Sequence, residues 1–163
     1  MARSTHPEDE MGAVANALQE LQRLRASRQV HGALAQAAGV DLSQQAVQVL
    51  LALDECRPVA KLARAAHMDI GAVSRQLRVL EEGGYLTRSP SPEGGNVVLV
   101  TATSKGRALA RRVIAVRNEH LAETLSGWSS VERRRLAELL GRLVGDLQQT
   151  PYPTRKNTKE HRS

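Results

Sequence analysis

Ser74, Arg75 and Arg78 carry the strongest chemical signal in this 163-residue chain. They lie in the stretch Asp69-Ile70-Gly71-Ala72-Val73-Ser74-Arg75-Gln76-Leu77-Arg78-Val79-Leu80-Glu81-Glu82-Gly83-Gly84, whose spacing predicts a helix. Asp69 can accept from the free N–H groups at its start, and Gly83-Gly84 can take the left-handed conformation that ends it. Val73, Leu77 and Leu80 recur at i, i+4 and i+7, giving one apolar face for a core. Ser74, Arg75 and Arg78 point elsewhere, beside the small residues Gly71 and Ala72. Two guanidinium forks and a hydroxyl, with no acid before Glu81, suit a polyanion, and the expected setting is a DNA major groove. One Arg would pair with guanine through both arms of its fork, and the other would meet phosphate. Lys61, Arg64 and Arg88 flank the same surface and are expected on phosphates rather than bases. The plain alternative is a solvated charged face, with Arg75 or Arg78 pairing to Glu82.

The charge distribution supports a polyanion. Net charge is +6, and it is concentrated. Arg57 to Arg112 holds ten basic and four acidic residues, whereas the remainder balances at thirteen of each. An excess confined to one segment points to nucleic acid or an anionic surface. At 41% hydrophobic residues the chain can bury a core, and with no Phe, one Trp and two Tyr that core must be aliphatic. A single cysteine, Cys56, excludes an intrachain disulfide. No apolar run approaches the ~20 residues of a membrane span. The polar start Met1-Ala2-Arg3-Ser4 does not read as a signal segment. The expected location is cytoplasmic.

Around the central helix the punctuation is regular. A long helix is expected from about Glu8 to Ala38, ended by Gly39; it is too long to bury fully in so small a domain and is expected to pack partly on a second chain. Ser43 can cap the next helix, with Val47, Leu50 and Leu51 as its apolar stripe. Pro58 can precede or open a short edge strand or helix. Lys61–Ala66 reads as a short helix and His67-Met68 as a tight turn, since His tolerates positive φ better than most residues. Short helix, tight turn and second helix spell helix-turn-helix. Beyond it, Tyr85–Arg88 and Asn96–Thr101 read as strands across the turn-rich Ser89–Gly95, a hairpin "wing". Thr103 or Ser104 can cap a helix to about Leu125. Ser129-Ser130-Val131-Glu132 fits a capping box for a last helix with Leu136, Leu140, Leu143 and Leu147 on one stripe. The tail, residues 150–163, has no periodicity and is expected to be disordered.

This order of elements resembles the multiple-antibiotic-resistance regulator (MarR) family of winged-helix repressors. The carriers are Asp41-Leu42-Ser43 leading into Val49-Leu50-Leu51-Ala52-Leu53, then Leu62-Ala63 and Val73-Ser74-Arg75-Gln76-Leu77. Leu80-Glu81-Glu82-Gly83-Gly84-Tyr85-Leu86 and Val98-Leu99-Val100-Thr101-Ala102-Thr103-Ser104-Lys105-Gly106 complete the set. The resemblance implies a mainly α fold with a small β-hairpin wing, six helices in a winged helix-turn-helix. It implies a homodimer joined through the N-terminal helix (1–39) and the C-terminal helices (104–149), with 40–103 binding DNA. It also implies a repressor reading a pseudo-palindromic operator and relieved by a small-molecule effector. The family's Asp-x-Arg pair in the wing is absent here; Gly94 and Asn96 stand in its place. Asn96 can hydrogen-bond in a minor groove but brings no charge to it. Gly71 and Ala72 stand where hydroxyl residues are common, and Ala60 where a Ser is frequent.

Other chemistry has little footing. Cys56 could sense oxidants, but Asp54 and Glu55 adjoin it alongside Arg57, and no second cysteine exists in the chain to resolve a sulfenic acid. His31, His67 and His120, with Glu119 and Glu123, show no spacing typical of zinc ligands. No phosphate loop, nucleophile elbow or His/carboxylate constellation is present, so neither catalysis nor a cofactor is expected. Two alternatives stand beside the DNA-binding regulator: a winged-helix interaction module with weakened DNA binding, and a Cys56-based oxidant sensor.

Overall fold

The protein, known from a computed structural model, is described over residues 7–53, 55–92 and 97–150. Its elements are α1 (Pro7–Ala26), α2 (Arg28–Ala38), α3 (Gln44–Leu51), β1 (Arg57–Pro58), α4 (Val59–Ala65), α5 (Ile70–Glu82), β2 (Leu86–Pro90), β3 (Val98–Ala102), α6 (Ser104–Thr124) and α7 (Ser130–Gln149). The mainly α architecture with a small antiparallel wing is the expected fold class. The helix count is corrected from six to seven among the described residues. Where one helix was expected from Glu8 to Ala38, the chain breaks at Ser27, whose backbone is extended (φ −63°, ψ 129°). Ser competes with helix by favouring cap and turn geometries, and here the good helix formers on either side hid that signal. Gly39 does end α2, at φ 62°.

The wing gains a third strand. β3 lies in the centre of a sheet ordered β1-β3-β2, with Arg57 opposite Val100 on one side and Arg88 opposite Val100 on the other. Pro58 sits on the edge strand and is also the N-cap of α4, a position where a missing N–H costs no ladder bond.

The chain divides into two compact units, one running to His120 and the other starting at Leu121. The first unit holds an aliphatic core. Val73, Leu77 and Leu80 of α5 are fully buried with Leu50, Leu62, Leu86, Val100 and Leu109. In the second unit α7 opens with the expected capping box. Ser129 Oγ accepts from the Glu132 N–H, and the Glu132 carboxylate accepts from the Ser129 N–H at 2.8 Å. Hydrogen bonds from the Ser129 hydroxyl and then its backbone hold the Glu132 carboxyl below the ordinary range. Along α7, Leu139, Leu140, Val144 and Leu147 are exposed. No helix among the described residues is long and apolar enough to cross a membrane. Residues 151–163, nearly all of the expected disordered tail, lie outside the described residues.

Candidate nucleic-acid interface

The surface of interest is built by fixing α5 at both ends and in its middle. At its start, Asp69 accepts from the Ala72 N–H at 2.7 Å. The preceding turn is closed by His67, the only described non-glycine residue at positive φ (51°). The Met68 N–H reaches Ala63 O and the His67 N–H reaches Arg64 O. That is the Schellman pattern, with His in the place usually taken by Gly. In its middle, α5 is tied to α3: Gln76 accepts from Ser43 Oγ at 3.1 Å and donates to Gln45 Oε1 at 3.2 Å. Gln48 on the same helix donates to Ala66 O at 2.7 Å, which holds the end of α4. The helix-turn-helix is therefore pinned by side-chain amides that hydrophobic periodicity does not reveal.

At its other end, Gly84 takes φ 71° and a second Schellman pattern forms, Tyr85 N–H to Leu80 O and Gly84 N–H to Glu81 O. The start of α6 clamps this turn. Thr103 Oγ1 donates to Gly84 O and Lys105 Nζ to Gly83 O, each at 2.7 Å. The ammonium also lies 4.5 Å from the centre of the Tyr85 ring, a cation–π contact. Thr103 in addition accepts from the Gly106 N–H, so it caps α6 as expected. Gly106 permits this approach, because a Cβ there would sit 2.0 Å from Tyr85 O.

With α5 so held, Ser74, Arg75 and Arg78 are exposed on its outer side, together with Gly71. Lys61 and Arg64 are exposed on α4. None of these four cations has a hydrogen bond or ion pair among the described residues. The Arg75 head lies back over Gly71, with Nη1 3.8 Å from where a Cβ would stand. Two exposed apolar side chains share the helix surface, Ile70 and Val79.

Three expected site residues fare differently. Ala72 is 7% exposed and so is not open on the outer face, although it is not part of the core cluster that takes Val73. Arg88 is not a free cation. Its guanidinium grips the Glu81 carboxylate, with Nε at 2.8 Å from Oε2 and Nη2 on the same oxygen. Hydrogen bonding to Arg88 holds the Glu81 carboxyl below its ordinary range, and the same bond raises the Arg88 pKa. The pair joins the end of α5 to β2, a link between residues seven apart that strand and helix periodicities read separately do not suggest. Asn96, with Gly94, lies outside the described residues.

Cys56 is exposed in the connector before β1. The His31 ring meets Leu42 O at 3.3 Å, a structural contact between the first turn of α2 and the lead into α3. Among the described residues no three His, Cys, Asp or Glu side chains come together as metal ligands would.

A short helix, a tight turn, a second helix presenting free guanidinium groups, and a hairpin following it that completes a three-stranded sheet define a winged helix-turn-helix protein. The sequence model of the MarR family matches residues 42–95. The helix-turn-helix-type transcriptional regulator YxaD of Bacillus subtilis is 33% identical over 105 residues, which span 63% of this chain and 73% of YxaD. The helix-turn-helix-type transcriptional repressor Rv2887 of Mycobacterium tuberculosis is 34% identical over 87 residues, 53% of this chain and 63% of that protein. The solved structure of BpsR from Bordetella bronchiseptica, whose DNA binding is regulated by 6-hydroxynicotinic acid, superposes with a TM-score of 0.58 at 27% identity. That match covers 77% of this chain and 98% of BpsR. The chain belongs to the MarR family of transcriptional regulators.

Proposed function

We propose that this protein is a homodimeric, sequence-specific DNA-binding repressor, with residues 40–103 on the DNA and residues 1–39 and 104–149 forming the dimer. The observation that carries the DNA reading is the set of four unpaired cations, Lys61, Arg64, Arg75 and Arg78, on a helix-turn-helix whose second helix is fixed at both ends. Arg75 or Arg78 reads a guanine edge, the other meets phosphate, and Ser74 donates to phosphate or base. Lys61 and Arg64 contact phosphates that set the register. Dimerisation is supported by unpartnered apolar side chains on two helices: Met11, Val14, Leu21 and Leu24 of α1, and Val131, Leu139, Leu140, Val144 and Leu147 of α7. Relief by a small-molecule effector is supported by the relative BpsR; the aliphatic composition argues against aromatic stacking in any such pocket.

The test is binding of the purified protein to duplex DNA flanking its own gene, and to duplexes selected from a random-sequence pool. Salt-sensitive binding of the dimer, with Kd on the order of 10⁻⁸ M or tighter for a preferred sequence, is the expected result. No preferred sequence from the selection would instead favour an interaction module that has lost DNA reading.

A further inference from the structure

The recognition helix opens with a residue that the fold does not use. Ile70 is the first residue of α5 and is 58% exposed. It has no place in the buried cluster that takes Val73, Leu77 and Leu80 from the same helix. A β-branched residue on an exposed helix position gains nothing from propensity either.

Its surroundings restrict what could cover it. Ile70 and Ser74 are i, i+4 neighbours, and Gly71 and Arg75 form the adjacent i, i+4 pair. Because Gly71 has no side chain, the Arg75 guanidinium lies back over it toward the start of the helix. The Arg75 fork and the Ile70 methyls therefore occupy the same first turn. The nearest acid, Asp69, turns one carboxylate oxygen to the Ala72 N–H, and among the described residues neither it nor any other acid forms an ion pair with Arg75, Arg78, Lys61 or Arg64. An apolar protein surface would leave those cations without partners. The major groove of duplex DNA supplies both halves of the complement: phosphates around the rim, and one apolar group on the base edges, the thymine 5-methyl. The first turn of a recognition helix is also the part that reaches the bases.

We propose that Ile70 reads a thymine, packing on its 5-methyl group in the groove that the outer face of α5 enters. This rests on the DNA-binding reading above and adds a specificity-determining residue to it. The experiment is a scan in which each thymine of one selected half-site is replaced in turn by deoxyuridine, which removes only the methyl. Wild-type protein is expected to lose about fourfold in affinity at one thymine, the effect of burying one methyl-sized group. Ile70→Ala is expected to bind the all-thymine site about fourfold more weakly, to be indifferent to deoxyuridine at that position, and to keep the wild-type melting temperature. A flat scan for wild type, or an identical scan for both proteins, overturns the assignment while leaving DNA binding intact. A wild-type protein that selects no sequence overturns DNA reading itself, and the Ile70 assignment with it.

Discussion

The two ends of α5 use the same kinds of side chain for opposite purposes. At the C-terminal end two nearby cations are used within the chain: Arg88 by Glu81, Lys105 by Gly83 O and the Tyr85 ring. Toward the N-terminal end Arg75 has no partner among the described residues, nor has Arg78 one turn further along the outer face, nor Lys61 and Arg64 on the helix before. A cation already satisfied by a carboxylate has little to offer a phosphate, whereas an unpaired one gains a partner without losing another. The same division runs through the small residues. Gly106 and Gly84 are required by the backbone at the clamped end, and Gly71 at the free end leaves room that the Asp69 carboxylate and the Arg75 guanidinium take up. One end is built to hold position, the other to be occupied.

The sharpest way to break the clamped end is Gly106→Ala. The added methyl meets backbone, not a flexible side chain, at Tyr85 O, so α6 and the turn must separate. We expect a loss of about 3 kcal/mol of stability, at the upper side of ordinary overpacking, read by urea unfolding; a change within error would mean the junction is looser than described. At the free end the effect is on binding. Arg75→Ala should weaken operator binding at least about tenfold, near the low end of what one bidentate guanine pair contributes, while the thermal midpoint stays at the wild-type value. Unaltered affinity would take α5 out of the reading role.

This contrast was only partly legible in the sequence. The caps were: Asp69, Ser43, Ser129 with Glu132, and Gly39 have their expected roles, because each depends on neighbours three or four residues away. His67 at positive φ and the buried face of Val73, Leu77 and Leu80 follow from equally local patterns. What escaped was long-range or masked by propensity. Gln45 and Gln48 pair with partners 31 and 18 residues distant. The Glu81–Arg88 link crosses from helix to strand, so Arg88 read as one more phosphate contact. Ala72 is a small residue at the margin of a helical face, where a shift of one position decides between covered and open. Ser27 breaks a helix that Ala26 and Arg28 would otherwise continue.

The finest test separates Arg78 from Arg88, which have the same charge on neighbouring elements. The slope of log K against log salt counts the phosphates neutralised, so removing one phosphate contact lowers it by about one. Arg78→Gln should lower the slope by that amount if Arg78 is the phosphate partner, and Arg88→Gln should leave it at the wild-type value because its guanidinium is held by Glu81. The ion pair has its own signature in pH. Its folded carboxyl lies below the ordinary value, so the stability it gives is fully present above the unfolded value of about 4.3 and is lost as pH falls through the lower folded value. Glu81→Gln cannot lose it. The difference in thermal midpoint between wild type and Glu81→Gln should therefore be steady near neutrality and change toward the mutant's favour below about pH 4. Glu132 titrates in the same acid range but is present in both proteins and cancels in the comparison. A difference independent of pH would mean that Arg88 is not held by Glu81 in solution, and Arg88 would then return to the set of cations available to DNA.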